Sequence, residues 1–206
     1  MAASPSSAPN WSIAEDKTID FSGSKVALKL PGNMSGDYPS TLNQIVNIYD
    51  GDLGGKLKRF SSADIWWDYK TRVLLFFPEL CGTLKFKMAA MSPGHREANY
   101  TTTSALQLGL IDLYRTAYSH DERRVPSVFE SATINGHQWL KYINIDERGH
   151  NVGVSYATSL VETHILMLSF YISETCDRKD ANWYKAAQSD IEKIMSSVNV
   201  GRMTEQ

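Results

Sequence analysis

Long apolar segments are absent from this chain of 206 residues. The most apolar runs, residues 73–77 and 165–172, have the length of single strands, whereas a helix that crosses a bilayer needs about 20 apolar residues. Residues 1–9 are rich in serine, alanine and proline and have no apolar core, so they are not an intact signal peptide. Their composition is typical of the first residues of an exported protein, and a disordered cytosolic tail is the alternative. We expect residues 1–10 to be disordered.

The chain also has few cysteines and a small net charge. The only cysteines are Cys81 and Cys176, which are too few for a disulfide scaffold, and their spacing leaves open whether they pair or remain separate thiols. The formal net charge of −2 gives no overall attraction to nucleic acid or to anionic membranes. With 42% hydrophobic residues, the composition that remains is that of an ordinary globular protein.

Two short stretches approach functional motifs, and each lacks an essential residue. Gly55-Lys56 suggests a phosphate loop, but Asp50 stands at the first glycine position and Leu57 at the hydroxyl position. We expect a tight turn there instead. Ser155 stands at the nucleophile position of a near-match to a nucleophile elbow, but Ala157 replaces the final glycine and the surroundings resemble two strands. This pattern predicts that Ser155 faces solvent from a strand.

The five histidines are scattered, and no two stand four residues apart on a helix. Glu162 and His164 would share one face of a strand, which permits an acid–base pair. A hydrolase that uses Ser155 or the Glu162/His164 pair is therefore the enzyme alternative. The sequence indicates no cofactor, no metal-ligand set and no catalytic residue beyond this alternative.

The C-terminal half carries the clearest structural signals. Asn135-Gly136 separates two strand-like runs and is typical of a type I′ hairpin turn, which needs positive φ at both central residues. Further strands are predicted at residues 152–156 and 164–172. Apolar residues at helical spacing predict a final helix over residues 182–198, capped by Asp180 or Asn182 and ended by Gly201.

The first half is predicted to be mainly strands, with one helix at its end. The helix spans residues 102–118, and Thr102 or Thr103 is its expected N-cap. A bend at residues 70–72 and a break at Pro78 are expected to divide the longest strand-like run. The strands themselves are predicted at residues 18–21, 25–30, 45–49, 65–77 and 83–88.

Strands that follow strands through short turns favour antiparallel pairing and disfavour a doubly wound parallel sheet. The predicted fold class is therefore α+β, an antiparallel sheet flanked by helices in an α/β/α sandwich. We expect one domain over residues 11–206.

Four stretches, "KVALKLPGN", "FESATINGHQWLKYINI", "ETHILMLSFYI" and "WYKAAQSDIEKIMSSV", resemble the PsbP-like superfamily, which includes Mog-type Ran-binding proteins and DcrB-type bacterial lipoproteins. The similarity lies mainly in residues 128–198. It implies the sandwich of helices and antiparallel sheet, and a protein that acts by binding other proteins rather than by catalysis. No functional residue carries over.

Aromatic residues suggest where a partner would bind. In an extended Trp66-Trp67-Asp68-Tyr69 segment, the two indoles lie on opposite faces, so either helices cover both faces or one face anchors a partner. Tyr38 and Tyr100 lie in flanking loops of the same predicted surface. Basic residues do not cluster with these aromatics in the sequence, which argues against a nucleic-acid platform.

Together these features predict a non-enzymatic, periplasmic immunity protein that inhibits a secreted bacterial effector, such as a type VI secretion toxin. A lipid anchor in the precursor is compatible with the N-terminal composition. The alternatives are a secretion chaperone, which would be cytoplasmic, and the hydrolase described above.

Overall fold

The computed structural model describes residues 8–36, 45–49, 58–73, 77–92, 99–174 and 182–202. Within these ranges the fold is mixed α+β, with two helices and mostly antiparallel sheets. The helices are α1 (Thr103–Ala117) and α2 (Asn182–Ser197), and a short 3-10 helix spans Glu122–Arg124. The strands are β1 (Asn10–Phe21), β2 (Ser24–Gly32), β3 (Ser35–Gly36), β4 (Ile45–Val46), β5 (Lys58–Val73), β6 (Phe77–Ser92), β7 (Glu130–Ile134), β8 (His137–Ile145), β9 (Asn151–Val161), β10 (His164–Glu174) and β11 (Asn199–Arg202).

The strands form two sheets. The large sheet has seven strands in the order β3-β5-β6-β10-β9-β8-β7, and every neighbouring pair is antiparallel. The small sheet has four strands in the order β11-β2-β1-β4, in which only β1 and β4 run parallel. The sequence pattern predicted one sheet, because alternation along a strand shows which side is buried but not which sheet the strand joins.

Each face of the large sheet has its own apolar core. Helix α1 packs on the outer face through Leu106, Leu110 and Leu113, against residues that include Ile165 and Met167 of β10. The small sheet and α2 cover the inner face, where Leu166, Leu168 and Phe170 of β10 are buried. Since β10 is covered on both sides, its sequence is an apolar run rather than an alternation.

Two local signals of the sequence, the Asn-Gly turn and the N-cap of the first helix, are confirmed. Asn135 and Gly136 have φ of 49° and 82° and join β7 to β8, as the Asn-Gly signal predicted. Thr102 is the N-cap of α1, and its hydroxyl accepts a 3.2 Å hydrogen bond from the backbone N–H of Ala105.

Three expectations about element boundaries are wrong. Strand β5 is not divided at residues 70–72: the register shifts between Tyr69 and Lys70, but Lys70 still pairs with Leu80 and Arg72 with Pro78 in one long hairpin. Pro78 lies at the second position of β6 rather than ending a strand, a place near the strand start where its missing N–H is tolerated. Gly201 does not end α2 but lies in β11, which follows the helix directly.

A buried carboxylate ties the start of β1 to α2. Asp190 of α2 is only 6% exposed and accepts hydrogen bonds from the indole N–H of Trp11 at 2.7 Å and the hydroxyl of Tyr69 at 2.8 Å. The ammonium of Lys193 lies 3.3 Å from the same carboxylate. Burial, and then the charge of Asp190, raise the pKa of Tyr69 far above its ordinary value, so its hydroxyl stays a donor.

Cys81 is buried and disulfide-bonded, and the single other cysteine of the sequence, Cys176, lies outside the described residues. The expectation of disorder over residues 1–10 falls outside the described ranges for residues 1–7, whereas Asn10 is the first residue of β1. The turn expected at residues 50–57 and Asp180 as a cap also fall outside the described ranges.

Candidate functional site

Helix α1 covers only part of the outer face of the large sheet. Its buried contacts on β6 are Ala89 and Met91, at one end of that strand. The remaining outer-face residues of three neighbouring strands form what we call the open face, and their side chains are half-buried or exposed. They are Asp64, Trp66 and Asp68 of β5, Thr83, Lys85 and Lys87 of β6, and Tyr171 and Ser173 of β10.

Antiparallel register sets the charge pattern of the open face. Asp64 lies opposite Lys87 and Trp66 opposite Lys85, so acidic and basic side chains face each other across the β5–β6 pair. The carboxylate of Asp64 lies 2.8 Å from the ammonium of Lys85 and 3.2 Å from that of Lys87. Partial burial raises the pKa of Asp64, but hydrogen bonds and charges from the two lysines outweigh it, and the net pKa lies below its usual value.

Trp66 lies in the middle of this face. The Lys85 ammonium is 5.8 Å from its ring centroid, within the range of a cation–π contact. Trp66 and Lys85, together with Asp68, Thr83, Tyr171 and Ser173, line a shallow groove of about 330 Å³. The groove therefore combines one large aromatic side chain with charged and hydroxyl groups.

The residues predicted to bind a partner lie in different parts of the structure. Of the four that the structure describes, Trp66 alone is placed on the open face. Trp67 is fully buried and Tyr69 is 3% exposed in the inner core, because the alternation of β5 turns them to the opposite side. Tyr100 is 4% exposed in the core under α1. These three side chains are therefore not accessible to a partner, and Tyr38 lies outside the described residues.

Lys85, Lys87 and Tyr171 were missed in the sequence. The expectation that basic residues do not cluster with the aromatics is wrong, because Lys85 of β6 lies directly opposite Trp66 and Lys87 lies on the same face, opposite Asp64. The alternation over residues 83–88 held the signal, but a β5–β6 hairpin had to be recognised before the lysines could be placed. Asp64 and Asp68 lie among them, so the face is not a continuous basic track of the kind that follows a phosphate backbone.

The hydrolase residues are not assembled into a catalytic site. Ser155 is fully buried rather than solvent-facing, because α1 covers this part of β9. Its hydroxyl donates to Ser169 at 2.7 Å and accepts from the amide of Asn144 at 2.9 Å. Tyr114 of α1 donates to the same Asn144 at 3.2 Å, so this is a layer of neutral hydrogen bonds between helix and sheet. The described partners of Ser155 do not include a general base.

Glu162 and His164 do not share a strand face. Glu162 lies in the two-residue turn between β9 and β10, whereas the His164 ring is fully buried. With Nε2 protonated, His164 donates to the carbonyl of Ile48 at 3.1 Å, and its Nδ1 accepts from the Thr163 hydroxyl at 2.9 Å. Burial lowers the pKa of His164, although the Ile48 carbonyl acts in the opposite direction. The imidazole therefore holds the segment around Ile48 and is neutral at pH 7.

Within the described ranges, no cluster of three or more His, Cys, Asp or Glu side chains is arranged to hold a metal ion. No helix in the same ranges is long and apolar enough to span a membrane. Comparisons with models of protein families, with curated proteins and with solved structures found no match to this chain.

Proposed function

We propose that this protein is a non-enzymatic protein-binding module and, most specifically, a periplasmic immunity protein that neutralises a secreted bacterial effector such as a type VI secretion toxin. The observation that carries the proposal is the position of Trp66, half-buried at the centre of an open, charged sheet face. Tryptophan is among the residues most enriched in interface hot spots, where a few side chains supply most of the binding energy.

The charges of the open face indicate the chemistry of the partner. Lys85 and Lys87 both approach Asp64. Asp68, the second carboxylate of this face, accepts a hydrogen bond from Thr83, so the open face carries two positive and two negative charges. A partner that offers charges of both signs around an apolar pocket would pair with the lysines and the aspartates while the pocket receives Trp66. Charge pairs of this kind speed association and select the partner, whereas the buried indole supplies affinity.

Two observations support a location outside the cytoplasm. Cys81 is disulfide-bonded, and disulfides persist mainly in oxidising compartments such as the periplasm. The composition of residues 1–9 favours the same location, and a lipid anchor in the precursor belongs to this proposal. The antiparallel large sheet, with α1 on its outer face and α2 on its inner face beside the small sheet, supports the proposed PsbP-like relationship; the small sheet is an addition to the expected α/β/α sandwich.

A secretion chaperone is the second candidate, and one observation favours it. Ile143 is 42% exposed at a groove of about 260 Å³ between α2 and strands β8 and β9, where Val154, Tyr156 and Ile172 supply further apolar surface. Such a groove suits an apolar helix of an effector. The hydrolase alternative receives no comparable support, since Ser155 and His164 are both buried in structural hydrogen bonds.

The test starts with the genes that neighbour this one and uses the toxin that the immunity proposal expects one of them to encode. Co-expression should protect the cell, and the purified pair should form a complex that Trp66→Ala weakens by about 2–4 kcal/mol, roughly 30- to 1,000-fold in Kd. Ile143→Ala is the matched control, because it removes an exposed apolar side chain at the other groove. Loss of binding with Ile143→Ala alone would favour the chaperone. An absence of both protection and complex formation would refute the immunity proposal.

A further inference from the structure

The turn between β7 and β8 also caps helix α2. The side-chain amide of Asn135 donates to the carbonyl of Ser196 at 2.9 Å and to that of Val198 at 2.7 Å. The last carbonyls of a helix have no partner within it, and a following glycine commonly helps to satisfy them. Here a distant hairpin does so, and one amide group joins the edge of the large sheet to the junction between α2 and β11.

We propose that Asn135 is a site of spontaneous deamidation, and that this modification loosens the junction between α2 and β11. In the reaction, the backbone nitrogen of Gly136 loses its proton to solvent base and attacks Cγ of Asn135, the Cγ–Nδ2 bond breaks, and the leaving NH2 group takes up a proton from solvent and departs as ammonia. Water then opens the cyclic imide to give an aspartate or an isoaspartate. The step needs no oxidant, reductant or enzyme.

Sequence and exposure both select this residue. Asn135 is the only asparagine of the chain that precedes a glycine, and glycine has no Cβ to hinder the attacking nitrogen. Both Asn135 and Gly136 are exposed, so water reaches the imide.

The product is incompatible with the cap. A carboxylate lacks the two N–H donors and directs negative charge at two carbonyl oxygens, at the negative end of the helix dipole. The residues that follow α2 are anchored in the core, with Val198 1% and Val200 7% exposed. Isoaspartate would also lengthen the backbone of a two-residue turn whose φ values are 49° and 82°.

The same cap should restrain the reaction in the folded protein. Nδ2 has to leave both carbonyls before Cγ can be attacked in the required geometry. The rate of deamidation is then governed by transient opening of the end of α2. Two lost hydrogen bonds correspond to a rate about ten- to a hundredfold below that of the free peptide.

The experiment incubates the full native chain in mildly alkaline buffer and follows each asparagine by peptide mass mapping. We expect modification at Asn135 ahead of every other asparagine, more slowly than in a synthetic peptide of residues 130–141. The modified fraction should melt roughly 2–4 °C lower, as expected for a lost helix cap in a chain of this size. Its backbone amides in β11 should also exchange faster.

Two variants separate charge from donor loss. Asn135→Asp should lower Tm more than Asn135→Gly, because both remove the amide donors and tolerate the positive φ, and only the first adds a charge beside the carbonyls. If Asn135→Asp does not fold, the Tm and amide exchange of the incubated wild-type protein still test the proposal, because that protein is modified only after it has folded. The proposal is overturned if Asn135 stays intact while other asparagines react, if the folded chain reacts as fast as the peptide, or if the modified protein keeps its Tm and exchange rates.

Discussion

Replacement of Asp190 by alanine should be among the most destabilising single changes in this chain. The substitution removes the acceptor of the Trp11 indole at 2.7 Å and of the Tyr69 hydroxyl at 2.8 Å. Hydrogen bonds to a charged group contribute about 1.5–3 kcal/mol each, so the loss is about 3–6 kcal/mol. Tyr69 is 3% exposed and cannot regain a partner from solvent, which places the cost in the upper part of this range.

The measurement is urea unfolding of wild type, Asp190→Ala, Tyr69→Phe and the double variant, at constant m-value. We expect a coupling energy of about 1.5–3 kcal/mol between the two positions. Asp190→Asn serves as a milder control, because an amide oxygen still accepts one of the two bonds. A loss below about 1 kcal/mol for Asp190→Ala, or effects of Asp190→Ala and Tyr69→Phe that simply add in the double variant, would refute this account of the Asp190 hydrogen bonds.

Three further changes test other parts of the fold. Gly82→Ala would place a Cβ 2.3 Å from the Trp183 ring, so it should cost about 1–3 kcal/mol in thermal unfolding, and an unchanged Tm would contradict this packing. Because burial lowers the pKa of His164 in the folded state, the unfolded chain binds more protons, and stability should fall as pH decreases through about 6.5. Urea midpoints at several pH values check this, and His164→Gln should flatten the dependence. Cys81→Ala should remove about 2–4 kcal/mol, and equal stability with and without a reductant in the wild type would oppose it.

Local signals in the sequence were sufficient where a turn or cap is decided by neighbouring residues. Asn135-Gly136 and Thr102 are examples, because positive φ and an orphan backbone N–H are properties of a few consecutive positions. The β5–β6 hairpin was not recognised, since its register depends on sixteen-residue strands pairing along their length rather than on residues 70–72 alone. The buried position of Ser155 depends on α1, which comes from a distant part of the chain.

The candidate site could be predicted only in part for the same reason. Alternation placed Trp66 and Trp67 on opposite faces, but it did not show which face remained open. That choice depends on how far α1 extends over the large sheet, and on where the small sheet docks. The lysines of β6 became part of the site only through their cross-strand register with β5.

The alternation of β5 has a consequence for how specificity can evolve. Trp66 and Trp67 are consecutive, yet the first contributes to an open surface and the second to the core. Substitutions at Asp64, Trp66 and Asp68 can therefore change what the surface recognises while Ile65, Trp67 and Tyr69 keep the sheet packed. Selection on binding and selection on stability act on interleaved residues of one strand, so new partners can be acquired by single replacements without a redesign of the fold.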